Sequence, residues 1–360
     1  MSAPRVLIAA GGTGGHVFPA LAVASALQGK GWHAEWVGSD RGLEQRVVPA
    51  AGIGLHVLNF AGVRGKGMGA LLSLPIRLMK ALFDAAKIVS RANPQVVMAF
   101  GGYVTFPVGL IARWRRIPLC IHEQNAVMGT ANRWLARIAN RVLVTFPKTR
   151  FAPQSARVSG NPVRASILAL QESESRYASR QGPLRILVVG GSLGARVLNQ
   201  KLPAAFAQAI RQGAALEIRH QTGVADLDSV KQAYQSEKVS AVCTAFINDM
   251  DQAYAWADLL ICRAGASTVT EVAAAGVAAL FVPLPSAIDD HQTANARYLA
   301  DQEAAWLTAQ SQLDTASMAQ FLVTLKRPAA AQRAAKARAL AMLGATQIAV
   351  QAAQELRAAP

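Results

Sequence analysis

Short apolar runs alternate with longer stretches of helical pattern along the whole chain. In the first half, RVLIAA (5–10), HAEWVG (33–38), LHVLNF (55–60), QVVMAF (95–100), PLCIHE (118–123) and RVLVTF (141–146) predict strands, with helices filling the gaps. A polar segment, QESESRYASRQGP (171–183), interrupts the pattern and has the composition of a linker or surface loop. The alternation then restarts with LRILVVGG (184–191), ALEIRHQTG (215–223), SAVCTAFI (240–247), ADLLICRAG (257–265) and VAALFVPLP (277–285). Strand–helix alternation of this kind builds right-handed βαβ units and parallel sheets. Two such series predict an α/β protein with two Rossmann-like, doubly wound domains. The Ala/Arg/Gln-rich segment 329–358 predicts helix that packs back across the domain junction.

Composition agrees with two ordinary cores. The 360 residues are 52% hydrophobic and 16% charged, which excludes a disordered chain. No apolar run reaches the roughly 18 to 20 residues of a membrane span. The N-terminal MSAPRVLIAA enters a strand at once and predicts no secretion signal. Cys120, Cys243 and Cys262 are far apart in apolar runs, as expected of buried thiols in a reducing compartment. Charge changes the picture more. Of a net +16, residues 1–164 carry almost all, with 20 Lys and Arg against 5 Asp and Glu. That half is suited to an anionic partner: nucleic acid, phospholipid or a diphosphate-bearing substrate.

Both halves open on strand, glycine turn and helix: LIAAGGTGG (7–15) and LVVGGSLGA (187–195). Such turns bring backbone N–H groups and a helix N-terminus to an anion. The dinucleotide fingerprint fails at its third glycine, where Val17 stands, although Asp40 does follow the second strand; no G-K-[ST] marks a Walker loop. A second glycine turn in the first half, AFGGYVTFP (99–107), also follows a strand, at the edge where open α/β sheets bind ligands. His16 falls in the first helical turn, where the dipole disfavours imidazolium and leaves a ring able to accept a proton; capping the turn is the alternative role. His122, Glu123, Gln124 and Asn125 follow another apolar strand at the same edge. No His and carboxylate spacing fits a metal site.

GGTGGHVFPALAVA, GGYVTFPVGLIA, HEQNAVMGTANR, SGNPVR, GGSLGA, FINDMDQAYAWADLLICRAGASTVTEVAAAG and DDHQTANA occur in this order over nearly the whole chain. Together they resemble the MurG family, glycosyltransferases that convert lipid I into lipid II in peptidoglycan synthesis. The resemblance implies a GT-B architecture, two Rossmann-like domains facing a central cleft. It implies inverting transfer of N-acetylglucosamine from UDP-GlcNAc to the muramoyl 4-hydroxyl of an undecaprenyl-diphosphate glycolipid, with no cofactor and no metal. The implied domains are residues 1–163 for lipid I and the membrane, 164–340 for UDP-GlcNAc, and 341–360 as a helix returning to the first. For the donor, the resemblance implies Ser192 and Arg164 at the diphosphate, the Ile247 backbone, ending a strand, at the uracil, and Ala266, Ser267, Thr268, Val269, Thr270 and Glu271 around the nucleoside. Glu271 would accept from the ribose hydroxyls, for which a carboxylate is suited; the motif sets that against the role of a first-turn helix acid. Gln292 and Asn125 would orient the sugar, with Thr13, Gly14 and Gly15 nearby; Thr293 stands where some members have a second glutamine. Gly14, Gly15, Gly101, Gly102 and Tyr103 would hold the acceptor diphosphate. His16 is the implied candidate base and Glu123 its competitor.

A lipid acceptor also implies a peripheral place on the cytoplasmic face of the inner membrane, among cell-wall synthesis and division proteins, and no nucleic-acid partner. Segment 61–91 combines four glycines (62, 65, 67, 69) with a helix from about Pro75. Arg77, Lys80, Asp84, Lys87 and Arg91 would form its polar face, and Leu71, Leu72, Leu74, Ile76, Met79, Leu82 and Phe83 the rest. Such a helix packs in a core or lies on a membrane. Trp114, Arg115 and Arg116 add a second basic–aromatic cluster. The competing readings are another UDP-sugar enzyme such as an epimerase, an NAD enzyme, and a nucleic-acid-binding protein, the last lacking RRM, KH and zinc-finger signatures.

Overall fold

The apolar runs form strands that pair in parallel throughout two sheets. The computed structural model describes residues 3–60, 73–191 and 195–358. The chain divides into one unit of residues 1–164 with 342–360 and another of residues 165–341. The first holds β1 (Arg5–Ala10), β2 (His33–Gly38), β3 (Gly54–Val57), β4 (Val96–Gly101), β5 (Leu119–Glu123), β6 (Arg141–Val144) and β7 (Arg157–Val158), in the order β3-β2-β1-β4-β5-β6-β7. The second holds β8 (Leu184–Val189), β9 (Leu216–Gln221), β10 (Val242–Thr244), β11 (Leu259–Cys262), β12 (Ala278–Phe281) and β13 (Trp306–Leu307), in the order β10-β9-β8-β11-β12-β13. In each sheet the order reverses beside the first strand, between β1 and β4 and between β8 and β11. At such a switch point the loops diverge and leave a crevice for ligand.

Alternation along β1 sends Val6, Ile8 and Ala10 to one face and Leu7 and Ala9 to the other. The first face packs on the helices Gly14–Gln28 and Ala345–Ala358, through Val17, Ala20, Val23, Ala349, Val350 and Ala353. The second packs on the helices Leu74–Ala92 and Thr105–Trp114. In the second unit, Ile186 and Val188 of β8 pack against Leu198, Leu202 and Phe206 of the helix Arg196–Arg211 and Met318 and Leu322 of the helix Thr315–Thr324.

Three sequence expectations change. Segment 171–183 is part of the second unit: its helix Ser173–Ala178 buries Arg176 and Tyr177. The Tyr177 hydroxyl donates to the Asp258 carbonyl (2.7 Å) and accepts from the Ala278 N–H (3.0 Å), while Arg176 donates to the Tyr254, Ala275 and Gly276 carbonyls. Its polar composition therefore serves helix-end and strand carbonyls. SAVCTAFI yields strand only at Val242–Thr244, so Ile247 lies beyond the strand. The partner β9 ends at Gln221, opposite Thr244, because the chain turns at Gly223, whose φ is +83°. Finally, Arg164 belongs to the first unit, where its guanidinium lies over the Phe18 ring at 5.4 Å.

Candidate active site

In the first unit, β1 ends in the turn Gly11–Gly12–Thr13 and β4 in Gly101–Gly102, and the two turns pack directly on one another. The Gly11 N–H donates to the Gly101 carbonyl (3.2 Å). Gly102 has φ +89°, and a Cβ there would collide with the Gly11 backbone, so only glycine fits. Gly101, at φ +112°, lies under the His16 ring; a Cβ would come within 2.8 Å of Nδ1. The helix Gly14–Gln28 starts at this point with no acidic residue in its first turn, which places Gly14, Gly15 and His16 at its positive end. Tyr103 is exposed beside Gly102. Five sequence-derived positions, Gly14, Gly15, His16, Gly101 and Gly102, thus converge on the β1/β4 switch point.

β5 contributes the polar run. His122, Glu123 and Gln124 are all buried. Glu123 braces the turn that follows: Oε1 accepts from the Asn125 N–H (3.0 Å) and Nδ2 (3.2 Å), and Oε2 from the Gly129 N–H (3.0 Å) and Asn132 Nδ2 (2.9 Å). Gln124 Oε1 lies 2.9 Å from His16 Nδ1, and its Nε2 lies 3.1 Å from His122 Nδ1. His122 Nε2 donates to the Gly160 carbonyl at 3.0 Å. Burial pushes the His122 imidazole down to about 4, so the ring is neutral.

One residue of this site escaped the sequence reading. Glu44 is fully buried, and no cation pairs with it among the described residues. Its carboxylate accepts from the Gly12 N–H (3.2 Å), the Ser39 N–H (2.8 Å) and the Ser39 hydroxyl (2.6 Å). Gly11, Gly38 and Gly42 surround it, each too close for a Cβ. In sequence it resembles any acid opening a helix.

In the second unit the loops after β8, β10, β11 and β12 gather at the matching edge. Ser192 lies outside the described residues. The helix Ala266–Ala275 begins directly after β11, with Gly265 as its cap and no acid in its first turn. Glu271 is the sixth residue of that helix, not a first-turn acid; it is buried and accepts from the Tyr254 hydroxyl at 3.0 Å. Ser267, Thr268 and Thr270 are half-buried, whereas the Val269 side chain is wholly buried, so only its backbone can meet a ligand. Gln292 turns Oε1 to the N–H groups of Ala264 (3.3 Å) and Leu284 (3.0 Å), leaving its NH2 without a partner among the described residues. The Thr293 hydroxyl donates to Asp290 (2.7 Å). Gln221 is the residue the sequence reading missed here. At the end of β9 it accepts from the Gly190 N–H (3.1 Å) and donates to the Gly191 (3.1 Å) and Ala245 (3.0 Å) carbonyls, tying together the turns after β8 and β10.

Among the described residues no group of three or more His, Cys, Asp or Glu could hold a metal ion. No described helix is long and apolar enough to cross a membrane. On the helix Leu74–Ala92, the packed face is Ala81, Ala85, Ile88, Val89 and Ala92. The small residues let it lie close on the neighbouring helix, and the large ones turn outward: Ile76 is 76% exposed, Met79 73% and Phe83 63%. Lys80, Lys87 and Arg91 are exposed too, with Lys87 Nζ 4.3 Å over the Phe83 ring. The polar-face expectation is corrected accordingly, since Arg77 and Asp84 are half-buried and the open face is both apolar and basic. The glycines of 61–72, with Leu71 and Leu72, lie outside the described residues.

The chain matches the glycosyltransferase family 28 N-terminal domain over residues 6–144 and the corresponding C-terminal domain over residues 185–356. It is 56% identical to the UDP-N-acetylglucosamine--N-acetylmuramyl-(pentapeptide) pyrophosphoryl-undecaprenol N-acetylglucosamine transferase of Bordetella pertussis, across 89% of each chain. It is 46% identical to the protein of the same name from Paracidovorax citrulli, across 99% of this chain and 100% of that one. Among solved structures it is similar to MurG of Acinetobacter baumannii, with 41% identity and a TM-score of 0.82 over 98% of this chain and 99% of that one. A putative UDP-N-acetylglucosamine 2-epimerase from Listeria monocytogenes shares the fold alone, at 13% identity and a TM-score of 0.65 over 97% of this chain and 96% of that one.

Proposed function

We infer the function from one premise: the chain belongs to glycosyltransferase family 28. Its architecture is GT-B, two Rossmann-like doubly wound domains. It is a hexosyltransferase that moves N-acetylglucosamine from UDP-GlcNAc to lipid I, giving lipid II for peptidoglycan synthesis. Identity sustained along the full length, 46% across 99% of the chain, carries this reading. Incubation with labelled UDP-GlcNAc and a lipid I analogue should release UDP and yield a disaccharide lipid. Release of an altered free sugar from UDP-GlcNAc alone would mark an epimerase and overturn it.

We propose that the second unit binds the donor. Glu271, already oriented by Tyr254, accepts from the ribose hydroxyls; the Ile247 backbone meets the uracil; the NH2 of Gln292 and the amide of Asn125 address the sugar. Ser192, the helix N-terminus at Ala266 and Arg164 meet the charge that develops on the departing diphosphate, a task fixed dipoles and a guanidinium perform without a metal. The first unit takes lipid I, with Gly14, Gly15, Gly101, Gly102 and Tyr103 at the acceptor diphosphate and His16 as the base for the muramoyl 4-hydroxyl. Two observations support His16 over Glu123. Its Nε2 has no partner among the described residues, whereas both Glu123 oxygens already accept two hydrogen bonds.

The prenyl tail keeps the acceptor in the bilayer, so the enzyme works peripherally at the cytoplasmic face of the inner membrane. The open face of the helix Leu74–Ala92 fits that task, combining apolar groups that insert with lysines that meet anionic headgroups. Vesicle binding should rise with anionic lipid content; a flat response would remove this face from the proposal.

A further inference from the structure

Which nitrogen of His16 carries the proton decides whether the ring can act as a base, and four groups behind the ring fix the answer. Two of them are backbone carbonyls, which only accept. The Gly160 carbonyl lies 3.0 Å from His122 Nε2, so that nitrogen bears hydrogen. The His122 ring is neutral, so its Nδ1 is the lone pair and accepts from Gln124 Nε2 at 3.1 Å. The same Gln124 NH2 donates to the His122 carbonyl at 3.2 Å, which fixes the amide orientation a second time. Reversing the amide would set its oxygen against the His122 carbonyl, and would force His122 to turn a lone pair towards Gly160. Gln124 therefore presents Oε1 to His16, 2.9 Å from Nδ1.

We infer that Gln124 is a positioning residue: through His122 and the Gly160 carbonyl it holds His16 as the Nδ1–H tautomer, with the lone pair on Nε2. Free histidine prefers the opposite tautomer, with hydrogen on Nε2, so the relay reverses the intrinsic preference. Gln124 and His122 are each 1% exposed, and water does not compete for these hydrogen bonds. The ring of His122 is further held against Phe100, with centroids 5.4 Å apart. Gly101 completes the arrangement, because any side chain there would push the imidazole off the Gln124 oxygen. An amide orienter differs from the carboxylate of a Ser-His-Asp triad in one respect: it selects a tautomer without adding a negative charge beside the base.

The inference rests on the reading of His16 as the base, and the experiment separates the two. Side-chain 15N spectra of the full-length protein, with His16 assigned by the loss of its signals in His16→Ala, should show Nδ1 protonated and Nε2 bare at a pH where the ring is neutral. A wild-type ring protonated on Nε2 overturns the inference whatever the activity. Gln124→Leu should move the proton to Nε2 and lower kcat about 10- to 100-fold, with the UDP-GlcNAc KM little changed. If Gln124→Leu leaves the tautomer unchanged, the relay does not set it. A correct tautomer combined with full turnover in His16→Ala removes the base assignment and leaves the tautomer relay standing.

Discussion

The two units share a strand order and brace their switch points differently. In the first, carboxylates hold the turns: Glu44 ties Gly12 to Ser39, and Glu123 ties Asn125 to Gly129 and Asn132. In the second, neutral amides do so: Gln221 joins the turns after β8 and β10, Gln292 joins those after β11 and β12, and Asn295 donates to the Ala264 carbonyl. Carboxylates accept several N–H groups at once but bring negative charge. Amides both accept and donate and bring none, which suits the donor role proposed for these turns. The first unit tolerates the carboxylates under a large cationic excess; two of the five acidic residues in 1–164 are these braces.

The largest effect expected on this contrast is at His16. His16→Ala should lower kcat by about 10²- to 10⁴-fold with little change in donor binding, placing acid–base work in the carboxylate-braced unit. Equal losses in kcat and donor affinity would dissolve the division. Glu44→Ala removes the acceptor of the part-buried Gly12 and Ser39 hydrogen bonds and should cost about 1 to 2 kcal/mol in denaturant unfolding, with Glu44→Gln costing less.

Each unit also buries one neutral histidine, His122 or His220, pushed by desolvation down to about 4 and about 3. Both rings stay neutral in the fold while the unfolded chain protonates below about pH 6.5. The unfolded state then binds more protons, so this contribution is complete above about pH 6.5 and declines as pH falls towards the folded values. It amounts at most to roughly 3 kcal/mol for His122 and roughly 5 kcal/mol for His220, and His220→Phe should flatten the acid limb of urea midpoints measured from pH 7.5 to 4.5.

The smallest expected effect tests the amide rule itself. Gln221→Ala should raise the UDP-GlcNAc KM a few-fold, and Gln221→Glu, which adds an anion and loses two donors, about tenfold. A glutamate no worse than alanine would mean that the neutrality of the second unit carries no function.

Apolar runs made β1, β4, β5, β8, β11 and β12 legible, because central strands bury both faces. The two-residue strands β7 and β13 were not, since each exists only through its register with one neighbour. The glycines at 101 and 102 were legible because local geometry demands that residue type, and His16 because it stands in the first turn of a helix that follows a glycine turn. Glu44 and Gln221 were hidden for the converse reason: Gly12 and Gly190, which they bind, lie 32 and 31 residues away in sequence, and only the fold makes them neighbours. The outward turn of Ile76, Met79 and Phe83 was likewise decided by the alanines opposite, which a hydrophobic pattern ranks below them.

The helix Ala345–Ala358 closes one face of the first unit, yet it is encoded after the whole of the second. On the ribosome, the part of that face under this helix must therefore wait, uncovered, while residues 165–341 are made. The second unit can reach its folded state first, although it comes later in the message. Translation order and folding order can thus run opposite ways for half of the molecule, and a chain cut short before Ala345 would leave that face open to chaperones or to other unfinished chains.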